Sequence, residues 1–289
     1  MRCFFTFMWL LATTSLAFPT GDKSYVFRCG ATGAFRPLQQ NTKSYYTKIN
    51  LPPSSYKRSI TPTITGHHFT KEEYTWLQER SLADVSFAGL NEATSALKDL
   101  FGKNGIPWVI SGGWALVLYG EPERTTPDID IIVQTTMSNL KKLLEADGRF
   151  LIPAENWWPD KSHLQVFFKA QNKYIDVDMI IAGQKNSVQE VASISRYLPT
   201  TYNDGQLSAP VIRPGPLFVS KLLGLAWPKR RKTSQDVKDI TYLVNNYYNE
   251  LTNVALEIPL PRRLQVTNYL TLLRSSSAEK VERLFNIRD

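Results

Sequence analysis

Ser-Gly-Gly-Trp-Ala-Leu-Val-Leu-Tyr-Gly-Glu-Pro-Glu-Arg-Thr-Thr-Pro-Asp-Ile-Asp, residues 111–130, is the most informative stretch of this 289-residue chain. Just before it, Pro107-Trp108-Val109-Ile110-Ser111 reads as a short apolar strand. Gly112-Gly113 follow, then Trp114–Tyr119 as a short buried helix that Gly120 stops. Asp128-Ile129-Asp130-Ile131-Ile132-Val133 is a β-rich run. Side chains at i and i+2 of a strand share a face, so Asp128 and Asp130 project together while Ile129, Ile131 and Val133 face the core. Glycines between a strand and a helix let backbone N–H groups approach a phosphate at the positive end of the helix. A lone Gly-Gly is more often an ordinary turn. Its weight here comes from spacing: the fourteen residues between Gly113 and Asp128 allow one short helix and a return to an adjacent strand.

Outward from this stretch the pattern repeats. Asp176 and Asp178 form a second pair in a strand, with Ile175, Val177 and Met179 opposite. If the two strands are neighbours, three or four carboxylates converge on one face. Packed carboxylates repel unless cations hold them. Mg²⁺ (or Mn²⁺) fits best, as a hard ion that prefers oxygen and bridges carboxylates to substrate phosphates.

The rest of the chain supplies a mixed frame. Thr70-Lys71-Glu72-Glu73 matches a helix capping box and marks the start of ordered structure. A second helix is expected from about Leu90 to Lys103, ended by Asn104-Gly105. Asn139–Asp147 is helical, with Leu140, Leu143 and Leu144 as its apolar stripe. Leu164–Lys169 and Tyr174–Ile181 read as a hairpin through Ala170-Gln171-Asn172-Lys173. Residues 199–216, rich in Asn, Gly and Pro, read as a loop, after which the chain is helical to its end. The expected fold is α/β (α+β): a small mixed sheet flanked by helices over residues 70–200, then a mainly helical C-terminal lobe over 201–289.

Charge and cysteine content exclude several classes. Two cysteines, Cys3 and Cys29, make neither a disulfide scaffold nor a cysteine-ligated zinc site in the folded part. The net charge of +8 sits mostly in residues 1–70, which hold eight Lys/Arg against Asp22 alone. Of the 34 basic and 26 acidic residues, 26 and 25 remain for residues 71–289. RNA is thus a possible partner that the near-neutral body does not favour. Arg2, the apolar run Cys3–Leu11 and the small residues Ser15 and Ala17 have the layout of a signal peptide over residues 1–17. Residues 18–69 are acid-poor and rich in Ser, Thr, Tyr and Pro, either a disordered linker or a transit-like segment. Together the two resemble a two-part plastid leader with Phe18 at its junction, with a secreted or endoplasmic destination as the alternative. No span is expected in the mature body.

Residues 111–130 resemble the signature of the DNA polymerase β-like nucleotidyltransferase superfamily, and more narrowly its AbiEii-type, abortive-infection toxin-like branch. The matching positions are Gly112-Gly113, Ala115-Leu116, Gly120, Arg124, Thr126 and Asp128-x-Asp130. Asp178, followed by Met-Ile-Ile-Ala-Gly, best fits the superfamily's third carboxylate, with Asp176 competing. A second block agrees. Phe218–Leu225 opens a helix carrying Lys221, and Ser234–Ile240 contains Asp236. That branch has a helix with Lys followed by a Lys/Arg-Asp-x-x-Asp element; here Gln235 replaces the basic residue before Asp236.

The resemblance implies transfer of a nucleoside monophosphate from an NTP to a hydroxyl on a protein, an RNA end or a small molecule, through a two-metal site. Asp128 and Asp130 would bind both ions. Asp178, or Asp176, would bind the ion nearer the acceptor and accept its proton. Ser111, Gly112 and Gly113 would hold the β- and γ-phosphates. Lys221 would neutralise the triphosphate, and Arg124 would contact phosphate or pair with a carboxylate. The same resemblance admits a non-catalytic nucleotide- or RNA-binding relative. His163 reads as structural or surface, and His67-His68 lacks further ligands nearby in sequence. Lys229-Arg230-Arg231-Lys232 reads as a solvated turn rather than an RNA contact. Trp157-Trp158 reads as a core plug rather than a stacking platform.

Overall fold

A computed structural model describes residues 64–285, except 65, 155–156, 159, 171–172, 186, 203–204, 226–231 and 256–274. The signal-like and transit-like segments, and Lys229-Arg230-Arg231, lie outside the described residues. The strands are β1 (His68–Phe69), β2 (Trp108–Ser111), β3 (Asp128–Val133), β4 (Phe150–Pro153), β5 (His163–Ala170), β6 (Lys173–Ile181), β7 (Ser195–Tyr202) and β8 (Gly205–Ile212). The helices are α1 (Lys71–Asp84), α2 (Phe87–Lys103), α3 (Gly112–Leu118), α4 (Met137–Asp147), α5 (Pro214–Leu225), α6 (Thr233–Ala255) and α7 (Ser275–Leu284). Among the described residues, no helix is long and apolar enough to cross a membrane.

All eight strands join one mixed sheet in the order β1-β4-β5-β6-β3-β2-β8-β7. The expected hairpin is present as β5 and β6, antiparallel with Gln165 opposite Asp178. β3 runs antiparallel to β2 and parallel to β6. The capping box forms as read: Thr70 Oγ1 accepts from Glu73 N, and the Glu73 side chain accepts from Thr70 N at 2.7 Å. Helix α2 begins three residues earlier than expected, because the Ser86 side chain caps it by accepting from Gly89 N.

The segment 199–216 corrects the expected loop. Ser195–Tyr202 and Gly205–Ile212 pair antiparallel as β7 and β8, and β8 lies beside β2, with Ile110 paired to Val211. Residues 205–212 therefore extend the sheet rather than open the helical lobe. Pro199 and Pro210 made the segment look loop-like. Pro199 is tolerated because β7 is the sheet's edge, where a missing N–H costs no ladder bond to a further strand. With β4 and β1 also added, the sheet is larger than the small one expected.

Two apolar clusters hold this frame. The main one packs Ile129, Ile131, Val133, Val177 and Met179, all fully buried, with Leu90, Leu97, Trp114, Leu140, Leu217 and Val244 from the helices. A smaller one gathers Phe69, Leu77, Leu151 and Phe167, flanked by Tyr74, Trp76, Trp157 and Tyr174. Trp114 is deep in the main core, and its Nε1–H donates to Thr94 Oγ1 at 3.0 Å. Thr94→Val leaves that buried donor without an acceptor. The expected cost is about 1–3 kcal/mol, read as a lower urea midpoint; an unchanged midpoint would show that the bond contributes nothing.

Candidate active site

The site begins with strand register. In the parallel pair β3–β6, Asp128 lies opposite Asp176 and Asp130 opposite Asp178. Directly paired residues share a face, so all four carboxylates stand on one side of the sheet. The alternating residues Ile129, Ile131, Val177 and Met179 are fully buried on the other. Ser111 pairs with Asp130 across β2–β3, which brings the start of α3 to the same place.

The glycine doublet is required by close approach. Gly112 has φ +60°, and a Cβ there would stand 1.7 Å from Asp130 Oδ2. A Cβ on Gly113 would stand 2.5 Å from both Arg124 Nη2 and Thr126 Oγ1. Thr126 in turn donates from its hydroxyl to Asp128 Oδ1 at 2.7 Å. The first turn of α3 thus lies directly against the acidic pair, as the sequence spacing predicts.

The two acids on β6 have different partners. Asp176 Oδ2 accepts from Gln165 Nε2 at 2.6 Å, and Gln165 Oε1 accepts from the Tyr74 hydroxyl. Gln78 Nε2 donates to that hydroxyl oxygen at 2.8 Å, completing a chain from α1. The other oxygen, Asp176 Oδ1, is buried without a hydrogen-bond partner. Asp178, 31% exposed, has His163 Nε2 at 2.9 Å from Oδ1.

Crowding and burial raise proton affinity here. Burial, with Asp128 and Asp178 nearby, pushes the Asp130 carboxyl up to about 7. Burial, with Asp178 and Asp128, pushes Asp176 up to about 8. The Tyr74 hydroxyl is pushed up to about 12 by burial and by the Asp176 and Asp178 charges. The cations bearing on Asp130 are Lys221 and Lys232. Lys232, 63% exposed, reaches 4.0 Å from Asp128 Oδ2.

Lys221 and Arg124 are both brought to this region, and they meet on one acid. Asp239, fully buried, has Lys221 Nζ at 2.7 Å and Arg124 Nε at 3.1 Å. Gln235 Nε2 donates to it at 2.9 Å. Asp236 is 3.8 Å from Lys221 Nζ. Of the two roles open to Arg124, pairing with a carboxylate is the contact formed. The helices α5 and α6 are thereby tied to the loop before β3.

The donor set suits a hard divalent ion: carboxylate oxygens at the centre, with mutual repulsion to relieve. Among the described residues, no group of three His, Cys, Asp or Glu side chains is arranged as a ready-made metal cage.

A family model for aminoglycoside-2''-adenylyltransferase matches residues 94–204, less than half of the chain but including all four acids and the glycine doublet. The solved structure of an antigenic nucleotidyltransferase-like protein from Paracoccidioides brasiliensis is similar. It has 16% identity and a TM-score of 0.52, over 68% of this chain and 96% of that one. The chain shares the fold of this nucleotidyltransferase-like protein. JHP933 from Helicobacter pylori is matched at 12% identity and a TM-score of 0.42, over 70% of this chain and 92% of that one. ANT(2'')-Ia in complex with adenylyl-2''-tobramycin is matched at 13% identity and a TM-score of 0.40, over 62% and 97%. No curated protein matches.

Sequence reasoning missed four contributors to this site: Gln165, Tyr74, Asp239 and the contact of His163 with Asp178. Gln165 and His163 lie at alternate positions of β5, so a register for the β5–β6 hairpin carried through from its turn would have placed both on the acid face, without saying which acid each meets. The aromatic pair reads correctly as a plug: Trp157 packs against Phe69 and Tyr74, with ring centroids 5.8 and 5.4 Å apart.

Two outcomes follow from this geometry. Gly112→Ala must move Asp130 or the α3 backbone and also strains a left-handed residue; a loss of at least about 1 kcal/mol is expected. Gly102→Ala, where a Cβ meets nothing within 4 Å, should instead gain up to about 1 kcal/mol. Equal urea midpoints for the two variants would contradict the packing described. The second outcome concerns pH. The folded Asp130 and Asp176 keep protons up to about 7 and 8, whereas the unfolded chain releases them near the ordinary 3.8. The folded state therefore binds more protons in that window, and stability falls with rising pH. Metal-free protein should show its full stability below about pH 4 and a falling thermal midpoint between pH 5 and 8, with a shallower fall in Asp176→Asn. A pH-independent midpoint would contradict the buried-acid assignment.

Proposed function

We propose that this protein transfers a nucleoside monophosphate from an NTP to a hydroxyl acceptor, with a divalent metal bound by Asp128, Asp130 and Asp178. One observation carries the reading: the β3–β6 register that sets both acid pairs on one face, against a backbone turn with no side chain at Gly112. Between the two candidates for third carboxylate, Asp178 is favoured. Each is engaged through one oxygen, Asp176 by Gln165 and Asp178 by His163, but Asp178 is 31% exposed and lies opposite Asp130.

When bound, Mg²⁺ or Mn²⁺ would neutralise phosphate charge and lower the pKa of the acceptor hydroxyl. The chain's own groups do the rest. Asp128 and Asp130 orient the triphosphate end, with Ser111, Gly112 and Gly113 bordering the β- and γ-phosphates. The acceptor oxygen bonds to the α-phosphorus, the bond to the β-phosphate oxygen breaks, and pyrophosphate leaves. The hydroxyl proton passes to a carboxylate oxygen of Asp178. Lys221 lies within electrostatic reach of Asp130 and would share its charge between Asp239 and the triphosphate.

The pairing of Lys221 with Asp236 and Asp239 supports the AbiEii-type likeness, because it gives that branch's Asp-x-x-Asp element a partner outside the matched segment. The matching model is named for an enzyme that adenylylates an aminoglycoside, which supports a small-molecule acceptor. The near-neutral body makes RNA the least suited of the three acceptor classes. A second reading, a nucleotide-binding relative without turnover, draws on the direction of Lys221 and Arg124 toward Asp239.

The full chain, given each NTP with Mg²⁺ or Mn²⁺, should release pyrophosphate and add one nucleotide mass to an acceptor. Asp128→Asn and Asp130→Asn should each cut the rate at least ~100-fold, the scale of a lost metal contact. Metal-dependent NTP binding without release from any pool of small-molecule, RNA and protein acceptors would favour the second reading. Absence of binding would sink both.

A further inference from the structure

His163 opens β5 and lies diagonally across from Asp178, on the face that carries the acids. Its Nε2 is 2.9 Å from Asp178 Oδ1. A carboxylate only accepts, so Nε2 bears the proton in this contact whatever the ring's charge. The imidazole is held from several sides. Trp158 Nε1–H donates to the His163 carbonyl oxygen at 2.8 Å, and the two rings are 5.6 Å apart. The Nδ1 side faces Asp160, 4.0 Å away. Asp160 is itself fixed by Lys185 Nζ at 2.6 Å and by the Ser162 backbone N–H at 2.8 Å. A surface histidine would have no such clamp on both its ring and its backbone.

The neighbouring acid shows the contrast. Asp176 is engaged by an amide, Gln165, in a chain that runs back into α1. Asp178 also has one oxygen taken, by His163, and a second, Oδ2, with no hydrogen bond among the described contacts; the difference is that its side chain is 31% exposed, whereas the free oxygen of Asp176 is buried. We infer that His163 is a positioning residue for the transfer step: its Nε2–H holds Oδ1 of Asp178, leaving Oδ2 as the oxygen that serves the metal and the acceptor proton. The inference rests on Asp178 being the third carboxylate. A freely rotating carboxylate would present either oxygen in many orientations; one bonded to a clamped ring presents a single oxygen. The group acts through Asp178 and not on the nucleotide, so its removal should lower turnover and leave NTP affinity nearly unchanged.

The amide pair Gln and Asn tests this. In His163→Gln the amide nitrogen takes the place of Nε2 and still reaches Asp178. In His163→Asn it falls short by about the length of one bond. Both are polar and of similar size, so a general effect on folding falls on both. With the full chain, Mn²⁺ and the NTP that wild type uses, His163→Asn should lose ~10-fold or more in kcat, the scale of a hydrogen bond to a charged group. Its KM for NTP should stay within about twofold, and His163→Gln should recover most of the rate. Thermal midpoints are compared in parallel. Equal rates for Gln and Asn, whether at the wild-type level or equally depressed, overturn the inference. So does a loss in His163→Asn that appears in KM rather than kcat. A wild-type chain that shows no metal-dependent pyrophosphate release overturns the transferase reading first, and the inference with it.

Discussion

Four carboxylates on two adjacent parallel strands repel one another, and much of this structure can be understood as the means of holding them there. At the spacing of paired strands, the repulsion between ionised acids in a half-buried setting amounts to several kcal/mol. The opposing force is on the other side of the sheet. Ile129, Ile131, Val177 and Met179 alternate with the acids and are fully buried beneath the helices. Their burial contributes about 1.5–3 kcal/mol per side chain. A one-residue slip of β3 against β6 would put the apolar set on the acid face, so the same residues that hold the strands also set the register.

The C-terminal helices act on this centre through charge. Asp239 is fully buried between Lys221 of α5 and Arg124 of the loop before β3. A buried pair of this kind is weak evidence for stability, since desolvation offsets much of the attraction. Its consequence is geometric. Two cations from distant parts of the chain are held by one carboxylate, and one of them, Lys221, bears on Asp130. The packing of α6, which carries Asp239, is therefore coupled through Lys221 to the acidic face.

Helix α1 closes the opposite side. It carries Tyr74 and Gln78 into the chain of hydrogen bonds that ends on Asp176, and its Leu77 joins Phe69, Leu151 and Phe167 in the second apolar cluster. This cluster occupies the outer strands β1, β4 and β5. Together with Trp158 and His163 it gives the Asp178 side of the site an aromatic border, while the Asp130 side is bordered by backbone and cations.

Local chemistry was legible wherever it depended on neighbours in sequence. The alternation in Asp128–Val133 and Tyr174–Ile181, the glycine doublet before a buried helix and the capping box at Thr70 each rest on periods of two to four residues. Each is present as read. Contacts between strands distant in sequence were not legible. No local pattern says that Asp128 faces Asp176 rather than Asp178, that Gln165 takes one of these acids and His163 the other, or that Arg124 meets Asp239. Residues 195–212 failed for the same reason. Their prolines and Asn-Asp-Gly run favour a loop by local preference, and only pairing with β2 makes them sheet. Chain order thus dictates which side chains share a face, because backbone geometry is local. Which faces meet is settled by the packing of the whole apolar core, which no short window of sequence contains.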